Sequence, residues 1–101
     1  MNAQRYRTFA EFYPFYLGEH RNPVCRRLHF VGTSIAAVLL VAAVVSQRGA
    51  LALLALVVGY AFAWVGHFFF EHNRPATFQY PLYSFMGDWR MWWAILTRQK
   101  F

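Results

Sequence analysis

Two long stretches without a charged side chain constrain this sequence more than any other feature. They cover residues 30–46 and residues 50–70. The hydrocarbon core of a bilayer, about 30 Å thick, needs about 20 apolar residues in a helix that rises about 1.5 Å per residue. The second stretch meets that length directly, and the first meets it if its helix begins upstream at Asn22 and Pro23. An asparagine N-cap followed by proline in the first helical position is a common helix start.

Only residues 47–49 separate the two stretches, and the glycine among them suits the end of a helix. We therefore predict an all-α integral membrane protein built on a transmembrane helical hairpin of about residues 23–46 and 50–71. The alternative is a pair of buried helices in a soluble bundle. It is disfavoured because 101 residues are too few to enclose two helices that are apolar on all sides. The whole chain, residues 1–101, is then a single membrane domain.

The basic residues predict the orientation of the hairpin. The sequence has 10 Lys and Arg against 4 Asp and Glu, a balance that suits nucleic acid, a membrane surface or an acidic substrate. All of these basic residues except Arg48 lie outside the two uncharged stretches and the short loop between them, and Arg48 lies in that loop. By the positive-inside rule both termini face the cytoplasm and the loop faces outward. We expect the lipid bilayer as partner and no nucleic acid, since no DNA- or RNA-binding motif is present.

Apolar residues spaced three and four apart predict a helix on each side of the hairpin. Before the hairpin, after the candidate N-cap Thr8, this face comprises Phe9, Phe12, Tyr13 and Tyr16. After the hairpin, it comprises Leu82, Phe85, Trp89, Trp92 and Leu96. We expect both amphipathic helices to be interfacial, with their aromatic side chains forming a belt at the lipid headgroups.

All four histidines fall at the same end of the hairpin. His20 and His29 lie around the start of its first helix, and His67 and His72 lie at the end of its second. Imidazole is a common ligand of Fe, Zn, Cu and Ni, so four converging histidines predict a metal site without selecting the metal. The alternative is that each histidine only makes hydrogen bonds near a helix end.

Spacing predicts how the histidines meet. His20 and His29 are nine residues apart and would face opposite ways on one straight helix, so a chain break at Pro23 is needed to turn His20 inward. In each membrane helix a line of small residues leads to a histidine, and close packing of these lines brings His29 against His67. The lines comprise Gly32 and Ala36 in the first helix and Ala55, Gly59 and Ala63 in the second.

Three more polar residues near this end have alternative roles. Glu71 follows His67 by four residues, and is either a ligand, a residue that orients a ligand, or a salt-bridge partner of Arg74. His72 points about 140° away from His67 on a continuing helix, which makes it the weakest of the four predicted ligands. We expect Asp88 to pair with an arginine or a helix dipole rather than to act in catalysis.

Two segments resemble the signatures of one family of small membrane proteins, long described as a domain of unknown function. They are residues 15–33, FYLGEHRNPVCRRLHFVGT, and residues 66–76, GHFFFEHNRPA. Some eukaryotic members are iron(II)-dependent 2-hydroxy fatty acid dioxygenases of fatty acid α-oxidation. The resemblance covers nearly the whole chain. Its most specific part is a His-x8-His pair before one span and Gly-His-x3-Glu after the next.

The resemblance implies that His20, His29 and His67 bind Fe(2+), with Glu71 in the matching motif as the catalytic candidate. It implies O2 and a long-chain 2-hydroxy fatty acid as substrates. The carboxylate and hydroxyl of that acid would chelate the metal, its acyl tail would lie along the apolar helices, and it would lose one carbon. The candidates for holding the carboxylate are Arg27, Arg74 and Arg90.

The chain also departs from the family. It carries Cys25 where the family often has Asn, and it is shorter than the eukaryotic enzymes, which have additional spans. We therefore expect a multi-pass protein of the bacterial inner membrane, in which a homodimer supplies a missing wall of the site. Two other functions stay open: another metal- or haem-dependent enzyme that modifies lipids, and a non-catalytic protein that organises the membrane.

Overall fold

A computed structural model describes residues 5–99, and every regular element within this part of the chain is a helix. The four α-helices are α1 (Phe9–Gly18), α2 (Pro23–Ser46), α3 (Gly49–Val65) and α4 (Pro81–Leu96). Helix α3 continues directly into a π-helical turn, Gly66–Glu71, and the connector to α4 contains a short 3₁₀ turn, Ala76–Phe78. The predicted all-helical fold is confirmed.

Capping residues set the corner between α1 and α2. The side chain of Asn22 accepts hydrogen bonds from the backbone N–H groups of Val24, at 2.8 Å, and Cys25, at 3.4 Å, and Pro23 is the first helical residue. This is the predicted start of the first long helix. Because α1 has already ended at Gly18, the intervening residues can turn back toward the body of the protein.

Helices α2 and α3 pack closely along each other. At Gly32 an added Cβ would lie only 2.6 Å from the Cβ of Phe62, so this approach requires a glycine. The segments Pro23–Ser46 and Gly49–Glu71 are both long and apolar enough to cross a membrane. Their outer faces carry exposed apolar side chains, among them Val38, which is 69% exposed, and Val44, which is 78% exposed.

Helix α1 packs against α4 and the connector, and its aromatic face is buried. Phe12 and Tyr16 are both 0% exposed and form one apolar cluster with Ala76, Tyr80 and Met91. The expectation that this face lies in a headgroup belt is therefore wrong for these two residues. The spacing correctly identified an apolar face, but the face is covered by protein from the other end of the chain.

Helix α4 lies between this cluster and α2. The indole Nε1 of Trp92 donates a hydrogen bond to the hydroxyl of Ser34 at 2.9 Å, and its ring stacks on Phe30. On the outer side of α4, Leu82, Trp93 and Leu96 are exposed. The helix therefore joins the α1 cluster to the first long helix and keeps an apolar surface of its own.

Candidate metal centre

Three histidines from three separate segments converge in the interior of the protein. His20 comes from the link between α1 and α2, His29 from the second turn of α2, and His67 from the π-helical turn. All three are buried, and each offers a ring nitrogen within 4.8 Å of the other two. Nε2 of His20 and Nε2 of His29 are 3.0 Å apart.

The opposite ring nitrogen, Nδ1, of each histidine lies against an oxygen atom. The contacts are His20 to the carbonyl of Tyr16 at 2.5 Å, His29 to the carbonyl of Cys25 at 3.0 Å, and His67 to Oδ1 of Asn73 at 2.7 Å. Because these oxygens can only accept, each Nδ1 carries the hydrogen and each Nε2 presents a lone pair. Acceptors in this position are the usual means by which proteins orient metal-binding histidines.

This arrangement fits a metal cation. Two Nε2 lone pairs that face each other at 3.0 Å repel unless a positive charge lies between them. Two nitrogens bound to one ion at about 2.1 Å each, and at right angles, would be about 3.0 Å apart. Three neutral imidazoles suit iron, zinc, copper or nickel, so the donor set accepts a transition metal without identifying it.

Electrostatics keep His20 in the form that binds metal. Burial, reinforced by the neighbouring rings of His29 and His67, lowers the pKa of His20 well below its usual value. The ring is therefore neutral at pH 7, as a metal ligand must be. Its face stacks on the ring of Tyr16 with the centroids 4.1 Å apart, which fixes its orientation from the side of α1.

Asn73 has a role that the sequence did not predict. The π-helical turn brings it back toward His67, because the carbonyl of His67 accepts the backbone N–H groups of both His72 and Asn73. The side-chain amide of Asn73 also donates to the carbonyl of Glu19 at 3.1 Å, which leaves its oxygen for the imidazole. The only signal was its place inside the second signature segment. A π-helical turn at a functional site is a recurring feature of proteins.

The structure places Glu71 and His72 away from the converging nitrogens. The carboxylate of Glu71 accepts a hydrogen bond from the backbone N–H of Asn22, so it contacts the residue that caps α2 rather than Arg74. His72 is exposed, ends the π-helical turn in the left-handed conformation, and lies outside the three-histidine group. The helix does not continue through His72, which moves this side chain to the surface.

Asp88 pairs with a tyrosine, whereas an arginine or a helix dipole was predicted as its partner. The hydroxyl of Tyr16 donates a hydrogen bond to Oδ1 of Asp88 across the α1–α4 contact. Burial raises the pKa of Asp88 to about 7, although this hydrogen bond acts in the opposite direction. Burial, together with the nearby carboxylate, raises the pKa of Tyr16 well above its usual value. The pair therefore links the residue that stacks on His20 to α4.

A groove starts at His29 and runs between α2, α3 and α4. The volume that it encloses is small, about 40 Å³, so the groove is shallow and open along one side, and most of its lining is apolar. The polar side chains that line it are His29, Thr33, Tyr60 and Asp88. An apolar groove that begins at a candidate metal ligand suits a ligand with a polar head and an apolar tail.

None of the three arginines proposed to hold a carboxylate lines this groove. Arg27 lies two residues from His29, about 200° around α2, and lines a different groove with Arg98. The guanidinium of Arg90 lies 5.6 Å from the centre of the Tyr13 ring, and Arg74 is exposed. The arginines were predicted from charge alone, and charge does not indicate which face of a helix carries it.

The thiol of Cys25 lies beside the Nδ1 side of the His29 ring. Its buried sulfur lies 3.7 Å from Nδ1 of His29, on the side opposite the converging Nε2 atoms. The thiol therefore packs against a candidate ligand without facing the candidate metal position.

Comparison with known proteins identifies the family of the chain. No curated protein and no solved structure is significantly similar to the chain. A family model described as "2-hydroxy-palmitic acid dioxygenase Mpo1-like" matches residues 6–100, which include all three buried histidines and the groove. The chain therefore belongs to the Mpo1-like family.

Proposed function

We propose that the protein is a membrane-embedded, iron(II)-dependent dioxygenase that removes one carbon from long-chain 2-hydroxy fatty acids. The observation that carries this proposal is the convergence of three Nε2 lone pairs beside an apolar groove. The family description supports the substrate class, because it names a 2-hydroxy fatty acid dioxygenase. The donor set supports the metal class, because iron is among the ions that imidazole ligands suit.

The reaction balances without a further reductant. A 2-hydroxy acid and O2 together contain the atoms of the acid one carbon shorter, CO2 and water. The bond between C1 and C2 breaks, O2 is reduced, and both carbons are oxidised. Iron(II), when bound by three imidazoles, supplies open positions for O2 and for a chelating carboxylate and hydroxyl.

The residues of the chain hold and orient this site. The oxygens of Tyr16, Cys25 and Asn73 keep the protons of the three histidines on Nδ1. Burial of the histidines excludes water from the nitrogens that face one another. Glu71, the catalytic candidate from the sequence, is proposed to act by position: it holds the start of α2, and thereby the turn that carries His20. No arginine lines the groove at His29, so the metal itself is proposed to hold the substrate carboxylate.

We also propose that α2 and α3, with the π-helical turn, cross the bilayer, with both termini in the cytoplasm. The most apolar windows of the two segments are only 28% and 17% buried inside the protein. The core helix of a soluble protein would be mostly buried. We therefore propose that the exposed apolar faces of the two segments contact lipid. Reporter fusions at each terminus and at Arg48 test the orientation. The homodimer stays a prediction, which the mass of the protein in detergent tests.

The activity is tested by loading the purified protein with Fe(II) without oxygen and then adding O2 and a long-chain 2-hydroxy fatty acid. The expected product is the fatty acid one carbon shorter, in an amount that exceeds the iron present. The variants His20→Ala, His29→Ala and His67→Ala should lose this product. The matched control is His72→Ala, which removes an exposed histidine five residues from His67 and should retain it. If iron is bound but no shortened acid appears, the dioxygenase proposal is wrong.

A further inference from the structure

The groove that begins at His29 extends along α2 and α3 as far as two leucines. Leu40 on α2 and Leu56 on α3 both line it. Leu40 follows His29 by eleven residues, and Leu56 precedes His67 by eleven residues. On a helix with 3.6 residues per turn, eleven residues bring a side chain back to within about 20° of the same face. Leu40 therefore lies on the face of α2 that carries His29, and Leu56 lines the same groove from α3.

The same spacing fixes the depth of the groove. Eleven residues at about 1.5 Å each place Leu40 about 16 Å from His29 along α2. An extended chain advances about 1.2 Å per bond, the value for a fully extended polypeptide backbone. The distance from His29 to Leu40 thus corresponds to about 13 bonds of an extended alkyl chain.

We propose that this groove takes the acyl tail of the substrate and that Leu40 and Leu56 limit the length of the tail. This inference rests on the proposed function for the chemistry of the head group, but the groove and its depth are independent of the metal. Two small residues that contact each other across the helix pair, Ala36 and Gly59, line the groove between His29 and the leucines, so the tail would lie over them along its open side. The open side of the groove gives the tail a way in from the surrounding lipid.

The two leucines can be changed without filling a closed core. Leu56 is 44% exposed and Leu40 is half-buried. The pair Leu40→Phe and Leu56→Phe should close the far end of the groove, whereas Leu40→Ala and Leu56→Ala should extend it. Val38→Phe is the matched control, because Val38 is exposed, lies nine residues from His29 and therefore faces the opposite way on α2.

The first measurement is binding of saturated fatty acids without the 2-hydroxyl group, over a series of chain lengths, to the metal-free protein. A fatty acid brominated in its chain serves as the displaced probe, since Trp89 lines the groove and its fluorescence is quenched by nearby bromine. In the wild type, affinity should rise by about fourfold per added methylene until the tail reaches the leucines, and then level off. The affinity of the phenylalanine pair should level off at shorter tails and that of the alanine pair at longer tails. The affinity of the Val38→Phe control should level off at the same length as that of the wild type.

The second measurement is the chain-length profile of oxidation by the iron-loaded protein for the matching 2-hydroxy acids. If binding profiles shift as expected but no acid is oxidised, the groove inference stands and the proposed function fails. If the acids are oxidised but neither leucine pair moves either profile, the proposed function stands and the inference is overturned. Absence of fatty acid binding at every length, in a protein with the wild-type helical spectrum, also overturns it.

Discussion

Replacement of Asn73 by alanine should weaken metal binding although Asn73 is not a ligand. In the structure its Oδ1 lies 2.7 Å from Nδ1 of His67 and holds that ring with Nε2 directed at the other two histidines. Loss of such a partner typically lowers metal affinity by about 10–100-fold. This range corresponds to about 1.4–2.7 kcal/mol of binding free energy. We expect Asn73→Ala to fall within it, because the distance is short and the site is buried.

A pair of substitutions tests whether Asn73 acts by orienting the ring of His67 or whether its loss simply disrupts the segment between the π-helical turn and α4. Asn73→Asp keeps an acceptor for His67 but places a carboxylate oxygen against the carbonyl and side chain of Glu19, where Asn73 now donates. Adding Glu19→Gln supplies an amide donor there and should recover most of the lost affinity. Gln79→Ala, an exposed change in the same connector, is the control for both.

The assay is competition for Fe(II), without oxygen, between the purified protein and a coloured chelator. Wild type and Gln79→Ala should compete equally, Asn73→Ala about 10–100-fold less strongly, and the double variant close to wild type. If Asn73→Ala holds the metal as tightly as Gln79→Ala does, the role assigned to this residue is refuted. The same result would remove the argument that Nδ1 acceptors organise the site.

Three further substitutions test the packing and electrostatics around the site. Gly87→Ala should lower the free energy of unfolding by about 1–3 kcal/mol, because the added Cβ would lie 2.9 Å from the ring of Tyr16. The control is Gly18→Ala, whose added Cβ meets no atom within 4 Å and which should leave stability unchanged. Thermal unfolding in detergent compares the two variants. Asn22→Ala should cost about 0.5–2 kcal/mol through loss of the α2 cap, and an unchanged Tm would contradict this. Burial raises the pKa of Asp88 from an ordinary value of 3.8 to about 7 in the folded chain. The contribution of Asp88 to the free energy of unfolding is therefore present at low pH and is lost as the pH rises from about 3.8 to about 7. The stability of wild type relative to Asp88→Asn should therefore fall across that window, and a constant difference would contradict the assignment.

Much of the framework could be predicted because it depends on local patterns. The length of the apolar stretches identifies the two long helices, and Asn22–Pro23 marks where the first begins. The lines of small residues correctly predict that His29 and His67 approach each other, because close helix packing needs small side chains at the contact. The break at Pro23 correctly predicts that His20 can turn toward them.

The remaining features depend on contacts between distant parts of the chain. Tyr16 and Asp88 are 72 residues apart, and no local pattern pairs them. Periodicity shows that Phe12 belongs to an apolar face, but it does not distinguish lipid from the protein that covers that face. The position of Asn73 depends on a change from α- to π-helical geometry after Val65, and no pattern in the sequence predicts that change.

The most direct test of the central claim is the metal content of the purified protein after loading with Fe(II) and removal of excess ion without oxygen. Wild type and His72→Ala should each retain one ion per chain. His20→Ala, His29→Ala and His67→Ala should each retain little, because every one removes an Nε2 from the converging set. Negligible metal in the wild type, or equal metal in all five proteins, would contradict the claim that these three histidines form a metal centre.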